Sequence, residues 1–349
     1  TLDMGGAERA LVDTLNFLKD KCEIDLYLLE KKGPLLKEIP KEVKVYQMKK
    51  NIIQYAIFRF FSPYRKKVIN KIANQKEYDC VIGYFEGRCG TWVSDIKKDI
   101  KKIAWVHNDV FKYQIGISDK EAKKTYQNIK QIICVSEDNK ENLCKKYNIN
   151  KDKVKVIYNY INEEEITKKS NEFSVENKKI TFVNVAAMRP QKRHDRMIKA
   201  AKYLKEKGYD FQIDFIGGGE KLEEVKQMVE ENDVKDVINV MGLQKNPYPY
   251  VKNADYFILS SYMEGYCIAV KEALYLKKVV ITTDVAGMRE MFENDKYGVI
   301  IPNTDDAMQY ALEEVLKNPH KYDKIKENLN HYIGENEKIK KQIIDLLDL

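Results

Sequence analysis

The chain has 349 residues, 44% apolar and 33% charged, enough for two globular domains. Lys and Arg exceed Asp and Glu by 61 to 54, a formal charge of +7 with a pI near 8.7. That excess is too mild to argue for nucleic acid and suits small anions or an anionic surface better. No run approaches the roughly 18 apolar residues of a membrane helix. The six cysteines (Cys22, Cys80, Cys89, Cys134, Cys144, Cys267) lack C-x-x-C spacing and framework density, which points to a reduced, cytoplasmic setting.

Gly5-Gly6-Ala7-Glu8 reads as a loop feeding a helix. A doubly wound domain places a strand directly before such a loop, so about eight to ten residues carrying that strand are expected ahead of Thr1. A domain that opens on a helix is the alternative. Short β-branched runs then alternate with helical patterns. Strands are predicted near Ile24–Leu29, Val43–Tyr46, Asp79–Gly83, Ile103–Val106, Gln131–Val135 and Val154–Ile157. Between the second and third lies the acid-free stretch Lys49–Ile72, in which Lys49, Lys50, Arg59, Arg65, Lys66, Lys67 and Lys71 are interleaved with Ile53, Tyr55, Ile57, Phe58, Phe60, Phe61 and Tyr64. It reads either as an interfacial segment on anionic lipid or as a core-facing helix with a wet basic side.

Asn162–Lys179 is charged, without clear period, and reads as a linker. Beyond it, strands are predicted near Ile180–Val185, Phe211–Ile216, Val237–Val240, Tyr256–Leu259, Val279–Thr282 and Val299–Ile301. The pattern predicts two doubly wound α/β domains, 1–165 and 166–330, facing a central cleft. A final helix at about 331–349 is expected to pack back onto the first, and ligands are expected at the carboxyl ends of the strands.

Four groups of residues suggest chemistry. Glu264 and Glu272 follow an apolar strand, Glu264 in a Gly265 turn and Glu272 about two turns into a helix expected to begin near Tyr266. The amides of Cys267, Ile268 and Ala269 would stand between them at the positive end of the helix dipole, making an anion site with a hydroxyl-binding acid at each end. Arg189, Lys192 and Arg193 lie between another strand and its helix, where cations oppose the dipole and so need a reason to be there. Gly217-Gly218-Gly219 fails the dinucleotide fingerprint because Leu222 stands where the third glycine belongs, and reads as a tight turn. His107 ends a strand, where side chains reach a cleft. His107, His194, His320 and His331 have no metal-ligand spacing and there is no D-x-D pair, so no metal is expected.

With these motifs in view the chain resembles the retaining glycosyltransferases of family 4, which have the GT-B fold. The resemblance spans residues 1 to about 349. It rests on Glu264-Gly-Tyr with Lys-Glu272-Ala-Leu, on Lys192 in Pro-Gln-Lys-Arg, and on Gly242-Leu-Gln-Lys-Asn-Pro-Tyr248. Thr283-Asp-Val-Ala-Gly287 with Arg289-Glu290 adds to it, as do Gly5-Gly6-Ala-Glu8, Val106-His107, Val135-Ser136 and Ile157-Tyr-Asn159.

The resemblance implies that Glu264 contacts sugar hydroxyls and Glu272 the ribose. It puts the amides Tyr266, Cys267, Ile268 and Ala269 on the diphosphate together with Lys192, and the nucleobase beside Gly242 and Leu243. Gly5 and Gly6 would lie near the phosphates and His107 near the reacting sugar. Two departures stand out. Ala186-Ala187-Met188 replaces the usual Gly-Arg-Leu, leaving Arg189 as the substitute phosphate arginine, and Cys267 replaces a Gly or Pro.

The implied reaction is metal-independent, retaining transfer of a hexose or N-acetylhexosamine from a UDP-sugar to a glycan, plausibly lipid-linked, in surface polysaccharide synthesis. The setting would be cytoplasmic, with peripheral contact at the inner membrane face through 49–72. A sugar-nucleotide epimerase and a non-catalytic nucleotide-sugar-binding subunit are the alternatives.

Overall fold

The structure, a computed structural model, describes residues 1–3, 5–48, 56, 58, 61–113 and 115–349. Two compact units divide the chain: Thr1–Tyr160 with Asn336–Leu349, and Ile161–Glu335. Both are built from parallel strands with helical crossovers, as the alternating pattern predicts.

In the first unit β1 (Asp25–Leu28) pairs with β2 (Lys44–Gln47), and β3 (Cys80–Gly83), β4 (Lys101–Val106), β5 (Gln131–Cys134) and β6 (Val154–Val156) form a second parallel sheet. β4 and β5 carry near-continuous apolar runs because helices cover both their faces. Ala104, Val106, Ile132 and Cys134 are buried with Tyr126, Leu143 and Tyr147 from the flanking helices. Thr1–Asp3 is not helical, and Leu2 is buried with its amide on the Lys32 carbonyl at 2.9 Å. The C-terminal helix Asn336–Leu347 belongs to this unit, where Lys101 Nζ reaches Asp348 at 2.6 Å and Gln342 donates to the Val156 carbonyl at 3.3 Å.

Within the basic aromatic stretch, Lys49–Tyr55, Ile57, Arg59 and Phe60 lie outside the described residues. Its described part behaves as a core-facing helix. Ser62–Ala73 buries Ile69 and Ala73 against Phe58 and Ile96, and Arg65 pairs with Asp95 at 3.0 Å. Phe61 is 56% exposed.

In the second unit six parallel strands run in the order β12 (Gly298–Ile301), β11 (Val279–Thr283), β10 (Tyr256–Leu259), β7 (Ile180–Val185), β8 (Phe211–Ile216), β9 (Ile238–Gly242). Phe182, Phe211, Phe215 and Phe257 are fully buried, and the helix His194–Glu206 lays Met197, Ile198, Ala201 and Leu204 on the sheet. The expected linker is corrected here, because Glu163–Ser170 is a helix. Asn162 caps it by accepting from the Glu165 amide at 3.1 Å, three glutamates occupy its first turn, and Lys168 and Lys169 its last. Capping and dipole complementarity hold a helix whose buried face is only Ile166 and Ser170, too little to leave an apolar period.

Candidate functional site

β7 and β10 are neighbours, but β7 continues outward to β8 and β10 to β11 on the other side. Loops leaving the carboxyl ends of such a pair diverge and open a crevice at the reversal of strand order. Here those loops are 186–193 and 260–267, and their backbones are tied together. Ser260 Oγ donates to the carbonyls of Lys192 (3.0 Å) and Arg193 (2.8 Å), and the Tyr262 amide donates to the Gln191 carbonyl at 2.7 Å. Thr283, at the end of β11, donates to the Ser261 carbonyl at 2.6 Å.

Across this tie Lys192 Nζ stands 2.6 Å from Glu264 Oε1, and Ser261 Oγ donates to the same oxygen at 2.5 Å. The side chains are 17% and 11% exposed, so the pair is largely dry and stronger than a surface ion pair. Burial by itself lowers the Lys192 pKa, but the Glu264 carboxylate more than offsets it and holds the ammonium charged. The two sequence-predicted residues are thus brought into direct contact.

The other cations of this loop divide. Arg193 adopts a left-handed backbone (φ 50°) and turns its guanidinium onto Asp195 (2.8 Å) and Asp305 (2.7 Å), away from Glu264. Arg189 is exposed, makes no ion pair among the described residues, and acts on Lys192 as a like charge. The glycine run explains how its loop is placed. A Cβ on Gly217 would lie 2.0 Å from the Ala186 carbonyl oxygen and one on Gly219 2.6 Å from that of Met188, with both glycines at φ +146°. Only glycine lets the β8 loop lie against 186–188, where the Met188 amide donates to the Gly218 carbonyl at 2.8 Å. Gly242 joins this rim by accepting from the Gly217 amide at 2.8 Å, and Leu243 beside it is 56% exposed.

The helix after Glu264 is Ile268–Tyr275. It starts two residues later than expected, which leaves Tyr266 and Cys267 in the turn and makes Glu272 its fifth residue, just over one turn in. The amides of the first turn are still at the positive end of the dipole. The Cys267 thiol is buried there, pushed up to about 12 by burial and by Glu264, and is held neutral. Glu272 Oε1 accepts from Tyr248 Oη at 2.9 Å, from the short helix Tyr248–Asn253. Tyr248 ends the Gly242-to-Tyr248 motif, but its role was not assigned from sequence, since a tyrosine after Asn-Pro carries no signal that it will face an acid.

In the first unit Gly5 caps the helix Gly6–Leu18, and a Cβ on it would meet Glu8 Oε2 at 2.1 Å. The His107 ring is 4% exposed and lies 4.7, 5.6 and 6.4 Å from the Tyr84, Phe85 and Trp105 rings. Burial lowers its pKa to about 3, only partly opposed by the Tyr84 backbone, so the imidazole is neutral at ordinary pH. A residue missed from sequence orders this strand end. Glu86, 8% exposed, accepts from the His107 amide at 3.0 Å and from Asn108 Nδ2 at 2.6 Å. Among the described residues no group of three or more His, Cys, Asp or Glu could hold a metal ion.

Comparison with known proteins bears on the family and the fold. The profile "Glycosyl transferases group 1" matches residues 163–332 and "Glycosyltransferase Family 4" matches 4–165. Together these two profiles cover residues 4–332, and the chain belongs to the family 4 glycosyltransferases, enzymes of GT-B fold.

It is 24% identical over 336 residues to the N-acetylgalactosamine-N,N'-diacetylbacillosaminyl-diphospho-undecaprenol 4-alpha-N-acetylgalactosaminyltransferase of Campylobacter jejuni, covering 91% of this chain and 88% of that protein. Among solved structures it resembles HepE of Anabaena in complex with UDP and glucose (TM-score 0.77, 16% identity, 100% and 97% covered). It also resembles a glycosyltransferase of Rickettsia africae (TM-score 0.74, 19% identity, 99% and 95% covered).

Proposed function

We propose that the chain transfers a hexose or N-acetylhexosamine from a UDP-sugar to a glycan hydroxyl, retaining the anomeric configuration and needing no metal. The observation that carries this reading is the Lys192–Glu264 pair at the strand-order reversal, directly before a helix N-terminus with Glu272 beyond it. Lys192 and the amides of Tyr266, Cys267, Ile268 and Ala269 supply positive charge for a departing diphosphate, the task a metal performs elsewhere. Arg189, exposed and near enough to Lys192 to act on it as a like charge, adds to it in this reading. Glu264 and Glu272 accept from sugar and ribose hydroxyls, and Gly242 with Leu243 forms the rim for the base. Glu264 already holds Lys192 and Ser261, which suits a hydroxyl acceptor better than a free nucleophile and favours retention by same-face attack. Gly5, Gly6 and neutral His107 serve the reacting end.

A lipid-linked glycan acceptor in surface polysaccharide synthesis is supported by the Campylobacter relative, which is named for transfer to a diphospho-undecaprenol-linked sugar. Contact with an anionic membrane through the basic stretch that includes exposed Phe61 is consistent with such an acceptor. No described helix is long and apolar enough to cross a membrane.

The test is a donor screen by thermal shift across UDP-, GDP- and dTDP-sugars, followed by turnover with a lipid-linked oligosaccharide with and without EDTA. Stabilisation by UDP-sugars and EDTA-resistant α-transfer from an α-linked donor are expected. A requirement for Mg²⁺, an inverted product, or exclusive binding of another nucleotide would overturn the corresponding part.

A further inference from the structure

Lys271 is 2% exposed, stands next to Glu272, and has no part in the donor chemistry above. Four residues on, Tyr275 Oη shares a 2.7 Å hydrogen bond with Thr167 Oγ1. Thr167 lies four residues beyond Glu163 on the helix Glu163–Ser170. Side chains four apart share a helix face, so Lys271 lies on the face of Tyr275 in one helix, as Glu163 lies on the face of Thr167 in the other. Burial lowers the Lys271 pKa to about 7, and Glu335 and Glu163 are the acids that act against it.

The second acid arrives from the opposite end of the unit. Gly334 takes a left-handed turn (φ +76°), and a Cβ there would lie 3.6 Å from Glu163 Oε1, so the turn before Glu335 rests against Glu163. Lys277 Nζ fixes the same segment by donating to the Tyr332 carbonyl at 2.6 Å. Glu163 follows the point where the chain enters this unit after Tyr160, and Glu335 is the last residue before it leaves at Asn336.

The entering helix also braces Tyr248. Asn246 Nδ2 donates to the Lys169 carbonyl and to Glu172, both at 2.8 Å, while Asn246 Oδ1 accepts from the Tyr248 amide at 3.2 Å. Both supports of Glu272, its own helix and Tyr248, are therefore built onto the segments where the chain passes between units.

We propose that Lys271 is a positioning residue that clasps the entering and leaving segments to the donor helix, so that nucleotide bound at Glu272 orders both chain crossings. The proposal rests on the donor-site reading above. It concerns residues remote from the reacting atoms, and its partner chemistry is a nucleoside diphosphate acting through the helix Ile268–Tyr275.

Hydrogen exchange of the full chain with and without UDP tests it. In the wild type, UDP is expected to slow exchange at 264–272 and, by about fivefold, at 161–170 and 331–336. Lys271→Met keeps the first effect and loses the second. Glu163→Gln combined with Glu335→Gln reproduces that loss and decides the matter if Lys271→Met does not melt cooperatively. Crossing segments that ignore UDP in the wild type, or respond equally in the variants, overturn the proposal while leaving the donor site standing. No slowing at 264–272 in the wild type overturns the donor reading and the clasp together.

Discussion

Lys192 and Glu264, 72 positions apart in sequence, meet at 2.6 Å with Ser261 on the same carboxylate oxygen. A cation assigned to phosphate and an acid assigned to sugar hydroxyls therefore form one unit, each fixing the other's orientation. Donor binding has to fit this pair without breaking it, since separating a largely buried pair leaves an uncompensated charge.

Removing either member is expected to damage transfer severely and non-additively. Lys192→Ala should lower kcat/KM by about 10²–10³-fold, the loss seen when one preorganised charge-stabilising donor is deleted. Glu264→Gln should cost a comparable factor. The double variant should be little worse than the poorer single, because each single already disables the unit. Arg189→Ala, removing an exposed cation with no ion pair, should cost less than Lys192→Ala. Steady-state kinetics on the four variants measure this, and full additivity of Lys192→Ala with Glu264→Gln would refute coupling.

Tyr248→Phe removes the 2.9 Å hydrogen bond to Glu272 and keeps the ring. A hydrogen bond to a charged group contributes about 1.5–3 kcal/mol. KM for the donor should therefore rise by about tenfold or more, with kcat nearly unchanged, as expected for a bond that acts on binding in ground and transition state alike. A fall in kcat at constant KM would place Tyr248 in the chemical step.

His107 predicts acid sensitivity. Its ordinary pKa of 6.5 falls to about 3 in the folded chain because the ring is buried. Below pH 6.5 the unfolded chain takes up a proton that the folded chain refuses until about pH 3, so stability is lost as pH falls through that window. The slope approaches about 1.4 kcal/mol per pH unit. His194, lowered to about 4 chiefly by burial and secondly by Lys192, adds to the same slope. Urea melts at pH 7.0, 6.0, 5.0 and 4.5 should show His107→Gln flattening the loss without abolishing it. Neither imidazole should appear as an ionisation in the pH–rate profile near neutrality.

Gly217→Ala and Gly208→Ala separate a clash from a backbone preference. Both glycines have positive φ, but Gly208 has nothing within 4 Å of an added Cβ, whereas Gly217 has the Ala186 oxygen at 2.0 Å. Gly208→Ala should cost about 1–2 kcal/mol, the strain of a left-handed residue. Gly217→Ala must also displace the 186–189 backbone, and should cost more stability and weaken UDP binding. Equal melting temperatures for the two would remove the close-approach argument.

Much of this molecule was legible in the chain because buried parallel strands read as short apolar runs. All twelve predicted strands have a counterpart, and both loops of the Lys192–Glu264 unit were found because each follows such a run. Lys192 and Arg193 looked alike in sequence. A single left-handed residue sent the second to Asp195 and Asp305, and nothing in composition signals that turn. The helix Glu163–Ser170 was read as a linker because capping and charge placement, not an apolar stripe, hold it together. Glu86 was unremarkable as a letter, Tyr248 and Lys271 lay in motifs that gave them no role of their own, and the roles of all three come from partners 21, 24 and about 64–108 positions away.

The sequence by itself determined the class of fold, the strand ends from which the site is built, and the residue types able to meet a sugar nucleotide. These follow from local pattern, since hydrophobic period, glycine and charge near a helix start act over a few residues. Tertiary structure alone decided that Lys192 pairs with Glu264, that Tyr248 holds Glu272, and that Lys271 is buried. Those are long-range contacts whose energies depend on burial and distance, quantities that exist only once distant segments are packed together.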